Sequence, residues 1–433
     1  MTTYHLQMHP QDVLFLRDAR PMAAADAGAG ANWPRPDQLW NALIHHFHRT
    51  WPERQDWEGA AHTKTLTERS NGRLSSDRFG ALQTVGPFPI ANGTPYFPCP
   101  LDLAVNENGE LLPMLLTPAG QTDLPPLLKL AFTTPVLGKQ SPPAWISQED
   151  YASYLSGKPF RPAKTDLFYI ERNIGIAINP ETGATIDGKF YQAEYLRLCE
   201  NVSIAFLASC AIKPKGRNDG LVDVLGKLSL PTPLIIGGQQ GLATVANAAK
   251  WRLPDAGMPK PTNQPFRLRW TLLSPALFPS LGDNASAHPG GWLPNWIDPQ
   301  TGNVMLPAPN ADSARRPGED RQAWRARRRQ QGRIQAKLIA ARIGKPLYFS
   351  GWDLHQKAKD GDAASTVEGA KPTQAAVPAG AVYVFECENQ NAFQALWQAL
   401  NALAPDNRIN RRSSIFGEKG FGIGVCSVFP TKQ

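Results

Sequence analysis

Residues 381–388, AVYVFECE, with NAFQALWQALNAL at 391–403 and GFGIGVCSVFP at 420–430, carry the reading that decides the fold. The first piece is rich in β-branched and aromatic residues and reads as a strand. The second places Phe393, Leu396, Trp397, Leu400 and Leu403 on one face at helical spacing. The third returns to strand. Working outward, RLRWTLLSPALF (267–278) reads as an alternating strand ahead of this series. Before it, WRLPDAGMPKPTNQP (251–265) is rich in proline and poor in periodic apolar residues. Such a stretch breaks regular structure, so it predicts a boundary between domains 1–262 and 263–433.

The N-terminal half repeats the pattern. YHLQMHP (4–10) alternates like a half-buried strand, and DVLFLRDARP (12–21) follows as a second apolar run. Leu39, Trp40, Leu43, Ile44 and Phe47 predict a helix over 37–49, with Asp37 as N-cap behind Pro36. DLFYIERNIGIAINPETGATIDGKFYQAEYLRL (166–198) predicts a long projecting hairpin. ENVSIAFLASC and TPLIIGGQQG add core strands, and the basic segment of the second half predicts a helix from Glu319 to about Arg342. The order strand, helix, strands, final strand, met twice, predicts an α+β protein. Its expected form is two ferredoxin-like (RRM-like) domains with antiparallel sheets and long insertions.

Composition narrows the function classes. The chain has 433 residues with 42% hydrophobic content, enough for a substantial core. No run approaches a membrane span, and MTTYHLQMHPQD lacks the regions of a signal peptide, so a cytoplasmic protein with no membrane partner is expected. Five scattered cysteines with no CxxC pair support neither a disulfide framework nor a zinc site. Charge is uneven. Residues 311–345 hold nine Arg and two Lys against three acidic residues, a net +8 that equals the formal charge of the whole chain. One local basic surface, not a basic fold, awaits a polyanion.

Several candidate sites follow. Arg17, Asp18 and Arg20 form either an ion-pair network or a phosphate clamp, since guanidinium grips phosphate with parallel hydrogen bonds. The hairpin carries Arg172, Asn173 and Lys189 beside Tyr169, Phe190 and Tyr191. Such a ribbon suits single-stranded RNA, and equally a partner subunit. RQAWRARRRQQGR, with Arg325 and Arg328, is an auxiliary nucleic-acid surface or a solvated helix face. The glycines Gly417, Gly420, Gly422 and Gly424 permit close backbone approach, either to a phosphate or within a tight turn into the last strand. They are not a dinucleotide loop, because no helix follows. His45, His46 and His48 lack an orienting acid or metal-ligand spacing. No catalytic residue, metal ligand or cofactor is assigned.

A family resemblance rests on motifs in collinear order from Leu14 to Gly424. They are LFLRDARPM, GPFP with YFPCPLDL, ERNIGIAIN with a following T-x-x-G-x-x-Y, LIIGGQQG, LLSPALF with GWLPNW, FSGWDL with AVPAGAVYVFE, and GEKGFGIG. Together they resemble the RAMP-superfamily third subunit of the type III-B (Cmr) CRISPR effector complex in antiviral defence. Gln239 and Gln240 depart from the acidic and basic residues expected in that loop.

The resemblance implies a non-catalytic subunit that holds the 5′ repeat-derived handle of the guide RNA and meets target RNA only indirectly. Its partners would be the large polymerase-like subunit and the backbone RAMP subunits. It implies RNA contact from Arg17, Arg20, Arg172, Asn173, Lys189, Lys419, Gly420, Gly422 and Gly424, with Arg325 and Arg328 auxiliary. A metal-independent endoribonuclease that processes CRISPR transcripts and a pure protein scaffold are the alternative readings.

Overall fold

The computed structural model describes residues 2–16, 33–50, 81–120, 122–135, 140–212, 220–259, 264–282, 287–309, 315–330, 332–350, 352–353, 369–370, 373–405 and 408–429. Strand β1 (Tyr4–Pro10) precedes helix α1 (Pro36–Thr50), then β2 (Leu82–Ala91) and β3 (Thr94–Pro98). Two short hairpins follow, β4 (Leu103–Val105) with β5 (Leu111–Pro113) and β6 (Leu115–Pro118) with β7 (Leu130–Thr133). Next come β8 (Trp145–Ser147), α2 (Gln148–Leu155) and the long hairpin β9 (Phe168–Ile178) and β10 (Thr185–Leu198). β11 (Val202–Ile212), β12 (Val222–Asp223), β13 (Thr232–Ile235) and β14 (Leu242–Asn247) complete the first sheet.

The second half runs β15 (Phe266–Leu272), α3 (Arg321–Gln330) and β16 (Ala336–Arg342). Short pairs join β17 (Leu347–Phe349) to β20 (Gln374–Ala376) and β18 (Trp352–Asp353) to β19 (Gly369–Ala370). β21 (Val382–Cys387), α4 (Gln390–Leu400) and β22 (Gly424–Val428) close it.

All described strand pairs are antiparallel, and helices are few, so the protein is α+β. The heart of the first sheet is ordered β14-β1-β11-β2, and the second sheet is ordered β16-β21-β15-β22. In both, the opening strand is central, flanked by the closing strand and the third. That is the strand order of a split β-α-β unit. The helices are not duplicated in the same way. α1, from the β1–β2 connection, packs on the first sheet, α4, from the β21–β22 connection, packs on the second, and α2 touches β3 and β8 of the first and β22 of the second.

Local sequence explains these elements. α4 is capped by Asn389, whose side chain accepts from the Ala392 N–H, and it buries Phe393, Leu396, Trp397 and Leu400 against β15, β16, β21 and β22. Each fully buried side chain of this size stabilises by about 1.5–3 kcal/mol. α1 starts one residue earlier than expected: Pro36 occupies its first turn, and Asp37 pairs with Arg35 at 3.0 Å instead of capping.

The expected helix over 319–342 is corrected. It ends at Gln330, and Ala336–Arg342 is β16, paired with β21. Ile334, Ala336 and Leu338 are buried at a spacing of two, a strand period that the surrounding arginines mask.

One face of the first sheet packs on α1 through Leu6, Met8, Leu39, Trp40 and Phe47. The other face carries Val85, Phe88 and Leu207, which meet Tyr151 of α2 and Leu273, Ile423 and Val425 of the second half. Arg269 of β15 ties the halves. Fully buried, it bonds Asp102 at 3.2 Å, the Tyr154 carbonyl at 2.9 Å and Ser427 at 2.8 Å.

Candidate nucleic-acid interface

The β9–β10 hairpin pairs only with itself, in register Arg172↔Glu194 and Asn173↔Ala193. Its root is anchored. Leu196 exchanges backbone hydrogen bonds with Leu14, both at 2.9 Å, and Tyr195 donates to Gln239 at 3.0 Å. Arg197 pairs with Glu171 and Asp12. Arg172 lies four residues beyond Phe168, about 13 Å out along the strand. Its guanidinium holds Glu194 at 3.0 Å while 66% of its side chain stays exposed, so it keeps donors for a second anion. Asn173 is exposed on the opposite face of the ribbon. Lys189 lies within β10, and Arg325 and Arg328 within α3. Arg17 and Arg20 lie outside the described residues.

The outward face also carries Ile170, Ile174, Ile176 and Ile178, all exposed, on the same alternate positions as Arg172. This apolar stripe was not foreseen, although β-branched residues at every second position spell it in the sequence.

The glycine-rich strap behaves differently. Lys419 to Ser427 are buried. The Gly420 N–H donates to the Gly417 carbonyl at 3.0 Å and the Gly422 N–H to the Pro275 carbonyl at 2.7 Å. These two donors are therefore satisfied within the chain. Gly422 has φ +73°, and a Cβ there would collide with the Ser413 backbone. Gly424 would meet the Trp270 indole in the same way. The tight-turn alternative describes both. Lys419 is 4% exposed, with its Nζ 4.5 Å from the Trp40 ring centre and 4.7 Å from that of Phe416, a cation–π sandwich instead of a surface cation.

The roots of hairpin and strap are linked through β2 and Trp33. Gly420 packs on the Thr84 and Gly86 carbonyls. Trp33 donates to the neighbouring Pro87 carbonyl at 2.9 Å and stacks 5.5 Å from Phe168. His46 faces inward: its Nε2 is 3.4 Å from Thr232 Oγ1, and burial, more than Arg49 and His45, lowers its pKa.

A cleft of about 1140 Å³ opens between the first sheet and the loop after α4. Arg408, Arg411 and Arg412 line it with Gln83, Ser209, Gln398 and Asn410, and no acidic residue does among the described residues. Burial pulls both Arg411 and Arg412 down to about 10. Sequence reading passed over these residues, though RINRRSS holds three arginines with no acid before Glu418. No cluster of His, Cys, Asp and Glu among the described residues is arranged to hold a metal. No described helix is long and apolar enough to cross a membrane.

The antiparallel α+β fold thus carries a projecting ribbon and an arginine-lined cleft. A family model described as CRISPR-associated protein (Cas_Cmr3) matches residues 6–424, and the chain belongs to that family, a subunit of the type III (Cmr/Csm) CRISPR complexes. Among solved structures, a chain of the type III-B Cmr-beta complex bound to cognate target RNA and AMPPnP is 15% identical. It matches over 88% of this chain and 86% of its own, with a TM-score of 0.37. A chain of the Csm3-Csm4 subcomplex of the type III-A interference complex is 9% identical over 88% and 92%, with a TM-score of 0.29. No curated protein matches.

Proposed function

We propose that the chain is a cytoplasmic, non-catalytic subunit of a type III-B effector complex and that it holds the 5′ repeat-derived handle of the guide RNA. The carrying observation is the charge. The whole +8 excess lies in residues 311–345, around α3, on a member of this family. Arg172 and Asn173 on the ribbon, with Lys189, Arg17 and Arg20, supply the handle contacts in this reading, and Arg325 and Arg328 an auxiliary surface. The large polymerase-like subunit and the backbone RAMP subunits are the protein partners, with the chain in two units, 1–262 and 263–433. Such a subunit contributes position: phosphates are neutralised, and splayed bases are presented for pairing.

The burial of His46 against Thr232 supports the non-catalytic part, because a general base needs access to its substrate. The test is binding of handle RNA across a salt series, with repeat RNA incubated in chelator alongside. Affinity should fall steeply with salt, by a logarithmic slope of roughly 0.7 per phosphate contact, with no cleavage. A salt-independent affinity, or cleavage in chelator, sinks the reading.

A further inference from the structure

Arg35 and Arg269 are buried and Arg411 and Arg412 half-buried, and they are not partnered alike: Arg35 holds Asp37 at 3.0 Å. Arg269 meets Asp102 at 3.2 Å, the ion pair that a desolvated guanidinium requires. Arg411 has only neutral acceptors: the Gln83 side chain at 3.3 Å and the carbonyls of Ile409 at 3.0 Å and Thr84 at 3.2 Å. Its Nε is buried with no partner. Arg412 donates from Nε to the Ala399 carbonyl, again neutral. Neither makes an ion pair among the described residues. Glu418 acts on Arg411 only at a distance.

Both arginines line the 1140 Å³ cleft, whose lining among the described residues holds no acidic residue. A second cleft, about 960 Å³ along β16, is unlike it: Glu386 and Glu388 stand among its cations, and Arg267 is already paired with Glu386 at 3.2 Å. Two half-buried guanidinium groups without an ion pair face one cleft whose described lining carries no acid, an arrangement that favours an anion.

The rim says which anion. Leu306, Pro307, Ala308 and Pro309 line the cleft. They are also the stem of the basic insertion: Pro307 bridges Arg333, and the Ala308 N–H donates to the Gly332 carbonyl at 2.9 Å. The segment holding α3 therefore leaves the cleft rim and returns to it. A chain of phosphates lying along α3 is led to Arg411 and Arg412, and a lone small anion would have no use for that approach. Gln83, Ser209, Gln398 and Asn410 add neutral polar groups of the kind that meet sugar hydroxyls and base edges.

We propose that this cleft is a phosphate-binding site, in which Arg411 and Arg412 take one or two backbone phosphates of an RNA strand running past the stem of α3. The site rests on the RNA-binding reading above but uses none of the residues assigned there to the handle.

The full chain is titrated with a short labelled oligouridine RNA across a salt series. In the Arg411→Gln/Arg412→Gln protein, affinity falls by roughly tenfold per arginine and the salt slope drops by about 1.4, twice the single-strand value. Because removing buried donors also endangers folding, Gln83→Glu is the second variant. It keeps the packing, places a carboxylate on Arg411, and should raise the melting temperature of the free chain while weakening RNA binding.

Wild type that binds RNA beside two variants that bind it equally well overturns the site and leaves the RNA-binding reading standing. Wild type that binds no RNA overturns both. Inorganic pyrophosphate or ATP competing as well as the oligouridine would make the occupant a free nucleotide and overturn the RNA assignment, as would equal competition by oligoglutamate. Crosslinks from 4-thiouridine RNA to residues 404–412, lost in both variants, support it.

Discussion

Arg269 and the Arg411–Arg412 pair are both guanidinium groups withdrawn from water, and they differ in what surrounds them. Around Arg269 every group has a partner: Tyr154 donates to Asp102 at 2.8 Å, shares a hydrogen bond with Thr271 at 2.8 Å, and stacks 3.9 Å beneath the guanidinium. Around Arg411 and Arg412 there are carbonyls, one amide and open space. Burial alone thus says little about an arginine's purpose. A closed network fixes one half of the fold to the other, whereas an open one waits for something from outside.

The strongest way to break this contrast is Asp102→Ala, which leaves Arg269 buried without its anion. It should cost about 3–5 kcal/mol in urea denaturation, and a loss under about 1 kcal/mol would show that the network is as open as the cleft. Tyr154→Phe keeps the ring and removes one donor to Asp102, for about 1–3 kcal/mol by the same measurement. Arg172→Ala tests the exposed extreme. Its pair with Glu194 is mostly solvated, so stability should change by less than about 1 kcal/mol, while guide-RNA occupancy of the reconstituted complex falls. Unchanged occupancy and handle protection would make the ribbon a subunit contact.

The smallest effect is set by pH. Hydrogen bonds from the Arg327 side chain, then from the Arg316 backbone, hold Glu319 down to about 2, against an ordinary 4.5. A carboxyl with a depressed pKa contributes fully above its unfolded value. The pair should therefore be intact above about pH 4.5 and lost as pH falls toward 2, read as a drop in far-ultraviolet helicity that Arg327→Gln abolishes.

Much of the fold was legible because it is local. The β21–α4–β22 series announces itself by β-branched content, then a 3.6-residue period, then an N-cap that Asn389 fulfils. The ribbon is equally plain, its Asn179–Ala184 tip held by short-range hydrogen bonds. β16 failed because the arginines before it, with Lys337 and Arg342 in it, suggest a solvated helix, and only pairing with β21 reveals a period of two.

The site was less legible. Glycines read the same whether they admit a phosphate or the backbone of Ser413, and Lys419 reads as a surface cation until Trp40 covers it. Arg411 and Arg412 escaped notice for a physical reason: what distinguishes them is the lack of acidic residues among the described lining of a cleft assembled from residues 3 to 412. No local window contains that information.

The isoleucine stripe of the ribbon bears on how the protein must be made. Two unpaired strand edges flank Ile174, Ile176 and Ile178, each at least half exposed. An apolar edge of this kind pairs with whatever strand it meets, including its own copy in another molecule. Produced alone, the chain is a candidate for self-association at the concentrations of a purification. A partner laid along the ribbon would cover that edge and suppress the pairing. Co-expression is then a matter of colloidal chemistry as much as of biology, and replacing the three isoleucines by threonine should keep the lone chain monomeric in sedimentation without altering its melting.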